Sequence, residues 1–306
     1  MSRAAAWHLA NTHVHTDFPL ERLAAARDQS VSVCLPARNE ARTIGTIIEQ
    51  LVPLLQDGIV DQIVVVDDST DGTGTIAAAL GAEVHRQESL APELGPVLGK
   101  GDAMWRALPV LTGELVCFVD ADSEGFGDHF VRGLLGPLLC RPEIEFVKGF
   151  YRRPFKVGST TLPDGGGRVT ELTAKPLINL FYPDLAGVEQ PLAGEVAARR
   201  ELLERLPFVT GYGVDIALLL DAYSRTGLDA IAQVNLDVRQ NAHQPLRQLG
   251  PMAFAVLQAV ASRLQREGRL TETLPTAFLA AGDGGLTPMD GSAVERPPLA
   301  RLRAAA

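Results

Sequence analysis

The chain has 306 residues, 46% of them hydrophobic, and its formal net charge is −9. A chain of this length can bury a large core without disulfides, so composition excludes wholesale disorder and a small cysteine-stapled fold. The acidic balance argues against a nucleic-acid partner and against an anionic membrane surface.

Cellular location follows from what the sequence lacks. Residues 1–17 are polar and have no apolar signal-peptide core, and no run of about 18 apolar residues is present to span a membrane. Cys34, Cys117 and Cys140 lie far apart and form no CxxC pair. We therefore expect reduced cysteines and a cytoplasmic protein.

The first half of the chain alternates between strand and helix patterns. After an N-terminal arm (1–30), expected to be mobile and to end in a short helix over 20–27, strands are predicted at 31–35, 62–66, 82–86 and 114–119. Helices are predicted at 44–55, 74–80 and 103–111. Continuous apolar strands between amphipathic helices predict a parallel sheet covered on both faces, with ligands at the carboxyl ends of its strands.

The pattern changes in the second half. A strand is predicted at 146–151, then a glycine-rich turn at 163–168, helices at 170–180, 195–206 and 213–226, and a strand at 230–239. A last helix is predicted from about 252 to 266. The tail after Gly282 is rich in Gly, Pro and Arg and is expected to be loosely ordered.

Two aspartates follow the strand at 114–119, in the motif Asp120-Ala121-Asp122. Side chains two apart on extended backbone point the same way, and paired carboxylates repel unless a cation joins them. Mg²⁺ binds one or two carboxylates together with substrate phosphates. The motif thus predicts a metal site for a nucleotide diphosphate, the alternative being an ordinary acidic turn.

The first two strands also end in polar residues. Asp67 and Asp68 can accept hydrogen bonds from a base or ribose, although capping of the next helix would explain an acid here too. Glu40, at the head of a helix, either binds base or ribose or favours the helix N-terminus electrostatically.

Lys100 lies between two glycines, which let the backbone approach a ligand closely. It either pairs with a diphosphate or is a solvated loop lysine. The full P-loop pattern and a GxGxxG after the first strand are both missing, so a P-loop enzyme and a dinucleotide-binding dehydrogenase are unsupported.

A glycine run at 165–167 precedes Arg168, and a helix begins just beyond it. Free backbone N–H groups, a guanidinium fork and the Thr170 hydroxyl predict an anion pocket for a small, highly charged acceptor, the alternative being a flexible turn. Asp215 is either a substrate-binding acid or a helix cap. His243 is either a third metal ligand or a structural histidine.

With these motifs assembled, the chain resembles the glucosyl-3-phosphoglycerate synthases over residues 31–252. These are retaining glycosyltransferases of the nucleotide-sugar-binding A-type (GT-A) fold, related to mannosyl-3-phosphoglycerate synthases. The resemblance is carried by residues 35–40, 99–101, 150–154, 165–172, 190–195, 211–214 and 229–236. The Gly-Gly-Gly-Arg and Gln-Pro-Leu-x-Gly-Glu stretches are its most specific parts.

The resemblance implies an α/β fold with a Rossmann-like, mostly parallel sheet, an acceptor-binding subdomain and C-terminal helices. The implied divisions are a nucleotide-sugar-binding domain (31–148), an acceptor-binding domain (149–249) and a C-terminal helix with its tail (250–306), after the arm at 1–30. It also implies a homodimer. The implied cofactor is Mg²⁺, with Mn²⁺ or Co²⁺ as alternatives.

The resemblance further implies a role for each matching residue. The implied donor-binding residues are Pro36, Ala37, Arg38, Glu40, Asp67, Asp68, Lys100, Asp120, Ala121 and Tyr212. The implied acceptor-binding residues are Gly166, Gly167, Arg168, Val169 and Thr170. The implied catalytic groups are Lys100, Asp215 and the backbone of Leu192, and the implied metal ligands are Asp122 and His243.

Three departures from the family pattern stand out. Asp215 occupies a position that is often Glu, which shortens the reach by one methylene. Ungapped counting places the metal-binding histidine of the family on Asn241, and we expect His243 to take that role. The turn after the second strand is one residue shorter, which leaves the base preference open.

The implied reaction moves glucose from UDP-glucose, or another nucleotide-linked glucose, to the 2-hydroxyl of 3-phosphoglycerate with retained configuration. The nearest alternative is mannosyl transfer from GDP-mannose, and a more distant one is a non-catalytic nucleotide-sugar-binding protein. A sugar-phosphate nucleotidyltransferase would carry a glycine- and arginine-rich loop after the first strand, which residues 36–40 do not form.

Overall fold

A computed structural model describes residues 1–157, 160–162, 165–240, 244–282 and 285–305. In chain order its strands are β1 (Thr12–Val14), β2 (Val31–Ala37), β3 (Gln62–Asp67), β4 (Glu83–Arg86), β5 (Leu115–Phe118), β6 (Phe146–Arg152), β7 (Phe155–Val157), β8 (Thr160–Leu162), β9 (Val196–Arg199), β10 (Phe208–Val209), β11 (Ile231–Val238), β12 (Ala277–Gly282), β13 (Gly285–Asp290) and β14 (Glu295–Arg296). Its α-helices are α1 (Arg3–Asn11), α2 (Leu20–Ala26), α3 (Ile44–Gln56), α4 (Thr73–Ala79), α5 (Lys100–Ala107), α6 (His129–Cys140), α7 (Lys175–Phe181), α8 (Arg200–Arg205), α9 (Val214–Thr226), α10 (Leu246–Arg266) and α11 (Leu299–Ala305). Among these helices, none is long and apolar enough to cross a membrane.

An eight-stranded sheet forms the centre of the molecule, in the order β1-β11-β6-β9-β5-β2-β3-β4. All neighbouring strands run parallel except β9, which is antiparallel to both β5 and β6. The prediction of a mostly parallel α/β sheet is confirmed.

The sheet separates two hydrophobic clusters, one on each face. Along β5, Val116 and Phe118 belong to one cluster, whereas Leu115 and Cys117 belong to the other. This alternation is the two-residue period of a strand covered on both sides. Cys34 and Cys117 are buried, Cys140 is partly buried, and all three are free thiols.

The helix predicted over 195–206 is wrong in its first half, because Val196–Arg199 forms β9 at the middle of the sheet. Val196, Ala197 and Ala198 are buried. A short apolar run has no periodicity that distinguishes a strand from a helix. Only the pairing of residues 196–199 with β5 and β6 makes this segment a strand.

The expectation of a mobile N-terminal arm is also wrong. Trp7 of α1 is 3% exposed and its indole N–H donates to the Ile231 carbonyl at 2.8 Å. β1 extends the sheet beside β11, and the His15 ring lies 4.6 Å from the His129 ring. A polar segment is therefore anchored by one large apolar side chain and by backbone pairing.

The C-terminal residues are more ordered than expected. β12 pairs antiparallel with β13, β14 pairs with β10, and Arg303 of α11 bonds Glu204 of α8 at 2.8 Å. α10 begins at Leu246 rather than near Met252, and Pro251 lies inside the helix.

Candidate active site

The three polar strand ends meet at one edge of the sheet, as predicted. β2 lies between β3 and β5, with Ala37 in register with Asp67 and Cys34 in register with Phe118. Because these strands are parallel, the residues that follow them share the carboxyl edge. Asp120 and Asp122 follow β5 at that edge.

Hydrogen bonds join the turns after β2 and β3. The Asn39 N–H donates to Ser69 Oγ at 2.8 Å, and Asn39 Oδ1 accepts the Thr70 N–H at 3.0 Å. Asn39 has a φ of 60°, a left-handed conformation that asparagine tolerates better than most residues. The Glu40 N–H donates to Thr73 Oγ1 at 2.9 Å, which fixes Glu40 at this edge.

Asp67 and Asp68 have different surroundings. Asp67 is 5% exposed and accepts hydrogen bonds from Arg86 at 2.8 Å and from the Ser69 N–H at 3.0 Å. Asp68 is about one third exposed, and its carboxylate lies 3.6 Å from Arg38. Asp67 thus holds the turn together, and Asp68 is the acid that a ligand can reach.

We call the carboxyl edge that carries Glu40, Asp68, Asp120 and Asp122 the donor edge. This edge is acidic. Burial raises the pKa of Glu40 to about 7, and repulsion from Asp122 and Asp71 adds to the rise. A site in which carboxylates disfavour one another's ionised forms attracts a cation. Ala121, between the two aspartates, turns its side chain into the core, and its carbonyl accepts the Thr43 hydroxyl at 2.6 Å.

Lys100 is the first residue of α5, which begins three residues earlier than predicted. Its Nζ lies 2.7 Å from Asp120 Oδ1 and 3.3 Å from Asp215 Oδ1. Burial alone would lower the pKa of Lys100, but the carboxylates of Asp120 and Asp215 outweigh it and hold the pKa above its ordinary value. The lysine is therefore a fixed positive charge between two acids.

Gly194 makes this arrangement possible. A Cβ at this position would lie well inside 3.0 Å of both Asp120 carboxylate oxygens and of Lys100 Nζ. The loop carrying Leu192 therefore packs directly against the charged pair.

Arg239, just beyond β11, is a site residue that the sequence reasoning missed. It is 3% exposed, and its guanidinium lies 3.0 Å from Asp120, 3.2 Å from Glu195 and within hydrogen-bonding distance of Asp122. The Tyr151 hydroxyl donates to Glu195 at 2.7 Å. A basic residue at the carboxyl end of an apolar strand was the available signal, because it obeys the same edge rule as the aspartates.

A second buried cation supports the neighbouring loop. Lys148 of β6 is 1% exposed and donates to the Ala193 carbonyl at 2.5 Å. Burial lowers its pKa to about 8. This contact fixes the backbone beside Leu192, the residue assigned a catalytic role through its main chain.

The glycine-rich loop is held differently from the prediction. The N–H groups of Gly165 and Gly166 donate to the Arg153 carbonyl at 3.4 and 3.1 Å, so they are not free for an anion. Gly167 has a φ of 71°, which favours glycine. The Arg168 guanidinium bonds the Gln244 carbonyl at 2.6 Å.

A cavity of about 170 Å³ joins this loop to the donor edge. Its lining residues come from the glycine-rich loop, the 192 loop, the start of α9 and the face of α10, and they are Arg153, Gly166, Gly167, Arg168, Val169, Thr170, Leu192, Tyr212, Asp215, Gln244, Leu249, Met252 and Val256. All five predicted acceptor residues thus line one cavity with Leu192, Tyr212 and Asp215. Asp215 also contacts Lys100, so the cavity lies beside the ion pair of Lys100 and Asp120.

The side chains present fit a hard divalent ion. Asp122 is 43% exposed and next to Asp120, which is the carboxylate chemistry that Mg²⁺ takes when phosphates complete its shell. The positively charged guanidinium of Arg239 forms an ion pair with the Asp122 carboxylate. In the described ranges no group of three or more His, Cys, Asp or Glu side chains forms a metal site by itself.

The predicted third ligand, His243, and the alternative Asn241 lie outside the described residues. The chain leading to them is placed beside the metal motif, because the Glu124 N–H donates to the Gln240 carbonyl at 2.9 Å. His243 as a metal ligand stays a prediction.

The mostly parallel sheet, the Asp-x-Asp motif at its carboxyl edge, the buried Lys100 and the arginine-lined pocket match the class of GT-A-type glycosyltransferases. The family model "Glycosyl transferase family 2" matches residues 32–139. The chain is 47% identical to the glucosyl-3-phosphoglycerate synthase of Mycolicibacterium smegmatis, over 92% of both chains. It is 45% identical to that of Mycobacterium tuberculosis over 92% of this chain and 88% of the relative.

Solved structures agree. The Mycobacterium tuberculosis enzyme in complex with Mn²⁺, UDP-glucose and phosphoglyceric acid superposes with a TM-score of 0.83 at 43% identity, covering 96% of this chain and 99% of that one. Mannosyl-3-phosphoglycerate synthase from Rubrobacter xylanophilus gives a TM-score of 0.89 at 46% identity over 98% of both chains. The chain belongs to the glucosyl-3-phosphoglycerate synthase family.

Proposed function

We propose that this protein transfers glucose from UDP-glucose to the 2-hydroxyl of 3-phosphoglycerate with retention of configuration. The observation that carries the proposal is the position of Asp215. Its carboxylate lies 3.3 Å from Lys100 Nζ and also lines the cavity that contains Arg168. The donor phosphate at Lys100 and the acceptor phosphate at Arg168 would therefore lie on opposite sides of Asp215.

The cavity suits a small acceptor. Its volume is about 170 Å³, and the glycine-rich loop, Leu192 and Asp215 line it together. Arg153 and Arg168 line this cavity, and guanidinium groups of this kind bind phosphates and carboxylates; Thr170 adds a hydroxyl. These groups match a three-carbon acid with a phosphate at one end.

On the donor side, we propose that Pro36, Ala37, Arg38, Glu40 and Asp68 bind the uridine. Asp67 supports them from inside the turn, as its bond to Arg86 indicates. Lys100 would bind the diphosphate.

Asp120 would contact ribose or sugar from the same edge, beside the backbone of Ala121. Tyr212, 63% exposed at the cavity, would cover the sugar.

In the reaction, the acceptor 2-hydroxyl oxygen attacks the anomeric carbon from the face that the diphosphate leaves. The bond between the anomeric carbon and the phosphate oxygen breaks, and the acceptor proton passes to that oxygen. Lys100 stabilises the charge that develops on the leaving diphosphate, the type of interaction that usually contributes most to catalysis. Asp215 and the Leu192 backbone orient the sugar, and Asp215 forms no covalent adduct.

Asp122 would hold the divalent ion, with His243 as the predicted histidine ligand. When bound, Mg²⁺ or Mn²⁺ supplies Lewis-acid stabilisation of the diphosphate. Arg239 contacts Asp122 through Oδ1 and would hold this carboxylate in place for the ion.

Mannosyl transfer from GDP-mannose is the second candidate, because the Rubrobacter xylanophilus mannosyl relative superposes so well. The two hexoses differ in the orientation of one hydroxyl. A comparison of kcat/KM for UDP-glucose, GDP-glucose and GDP-mannose, each with 3-phosphoglycerate and MgCl₂, decides between them. Fastest turnover with UDP-glucose supports the proposal; a higher kcat/KM for GDP-mannose overturns the donor assignment.

The acceptor assignment has its own test. Arg168→Ala is expected to raise the acceptor KM by about tenfold or more, the value of one lost charge-assisted hydrogen bond. Arg152→Ala is the matched control, because Arg152 is exposed and pairs with Asp237 away from the cavity. Equal KM values for the two variants would refute the acceptor role of Arg168.

We also propose that the protein is a cytoplasmic homodimer. Several large apolar side chains of the second half of the chain are exposed, among them Leu172, Leu180, Leu246, Leu257, Leu279 and Met289. A contiguous patch of such side chains would be an association surface. Light scattering of the purified protein tests the dimer, and a monomer at micromolar concentration would contradict it.

A further inference from the structure

The last strand of the chain reaches the segment that carries Lys100. We call residues 294–297 the C-terminal strap. Its β14 pairs with β10, and the Val294 carbonyl accepts both the N–H and the hydroxyl of Thr210, at 2.9 and 3.1 Å. β10 leads directly into Tyr212 and Asp215, so the strap lies against the chain that carries one side of the site.

The strap also bonds α5. Arg296 donates to Asp102 through Nε at 2.7 Å and through a terminal nitrogen at 3.0 Å, a two-point fork. Asp102 is fully buried, and it also accepts the Leu98 N–H at 3.0 Å. The Trp105 indole N–H donates to the Pro297 carbonyl at 2.8 Å.

Asp102 therefore closes the turn that contains Lys100. Its own N–H donates to the Thr210 carbonyl, and a Cβ at Gly101 would lie well inside 3.0 Å of the Val209 carbonyl oxygen. The Gly-Lys-Gly turn thus packs flush on β10, which packs on the strap.

We propose that Arg296 is a positioning residue of the donor site: through Asp102 it sets the turn at 99–101 and so holds Lys100 Nζ between Asp120 and Asp215. This inference rests on the proposed role of Lys100 as the diphosphate-binding lysine. It assigns a function to the C-terminal strap, which lies nearly two hundred residues from Lys100 along the chain.

Three variants test this role by their donor and acceptor constants. Arg296→Ala removes the fork, and Arg296→Lys keeps the charge without it. Arg303→Ala is the matched control, because it deletes another C-terminal arginine that forms an ion pair, with Glu204 of α8 rather than with Asp102. Circular dichroism and thermal melting establish that each variant is folded.

The expected result for Arg296→Ala is a rise of about tenfold or more in the Kd for UDP with Mn²⁺ and in the KM for UDP-glucose. The acceptor KM should change by less than about twofold, and Arg303→Ala should match the wild type in all three constants. Added guanidinium should restore part of the donor affinity of Arg296→Ala. If Arg296→Ala fails to fold, Arg296→Lys is expected to show the same split with a smaller rise.

Unchanged donor constants, or equal rises in the donor and acceptor KM values, would overturn the positioning role and leave the proposed function intact. Wild-type protein that neither binds UDP nor turns over UDP-glucose would instead overturn the proposed function and this inference with it.

Discussion

Gly194→Ala is the sharpest single perturbation of the donor edge. The added methyl would lie well inside 3.0 Å of both Asp120 oxygens and of Lys100 Nζ. To restore ordinary contact at about 3.5 Å, either the Lys100–Asp120 ion pair or the loop that carries Leu192 must move away by roughly 1 Å. A misplacement of about 1 Å at a reacting centre costs on the order of a hundredfold in rate, or about 2.7 kcal/mol.

Steady-state kinetics with UDP-glucose and 3-phosphoglycerate measure this loss as kcat/KM. We expect a fall of about a hundredfold, with a stability cost of about 1–3 kcal/mol from overpacking. Gly211→Ala is the control in the same region, since its Cβ would meet no atom within 4 Å. Its activity should stay within about twofold of the wild type. A threefold ratio of kcat/KM corresponds to only about 0.6 kcal/mol of activation free energy. A kcat/KM for Gly194→Ala within about threefold of the control would therefore refute the assignment of Lys100 and Asp120 to the reaction.

Three further predictions concern charged or titratable side chains. Arg239→Met leaves a buried acidic cluster without its partner and should lower the free energy of unfolding in urea by about 3–5 kcal/mol; an unchanged value would show that the pairing is dispensable. Burial, with repulsion from His15, lowers the pKa of His129 below 6.5, so the unfolded chain binds the proton first and stability is lost as pH falls below 6.5. His129→Gln should flatten that loss in urea titrations at about pH 7.5 and 5.5, and an unaltered pH profile would contradict the sign. His243→Ala should raise the Mn²⁺ concentration needed for half-maximal UDP binding by about tenfold or more, whereas Asn241→Ala should not; the reverse order would move the ligand to Asn241.

The sequence predicted that the polar strand ends lie together, because the carboxyl ends of parallel strands share one edge of a sheet. Pro36, Asp67 and Asp120 each follow a buried apolar run, and the register of β2 with β3 and β5 brings them together. The fold class followed from the same alternation. The domain divisions and the roles of individual residues remain predictions.

The rest depended on long-range contacts that local pattern does not encode. β9 is a strand only because β5 and β6 flank it, and the polar arm is ordered through Trp7. The Arg239 network joins side chains more than forty residues apart, such as Glu195 and Arg239, which no spacing rule links. The glycine run looked like an anion site, but the Arg153 carbonyl takes two of its N–H groups.

The most direct test of the central claim is identification of the product. UDP-glucose labelled with ¹³C at the anomeric carbon would be incubated with the protein, MgCl₂ and 3-phosphoglycerate, and the product examined by NMR. The account predicts a new α-anomeric signal coupled to carbon 2 of the glycerate, appearing at the rate of UDP release. A β-anomeric signal, attachment at another position or free glucose alone would contradict it.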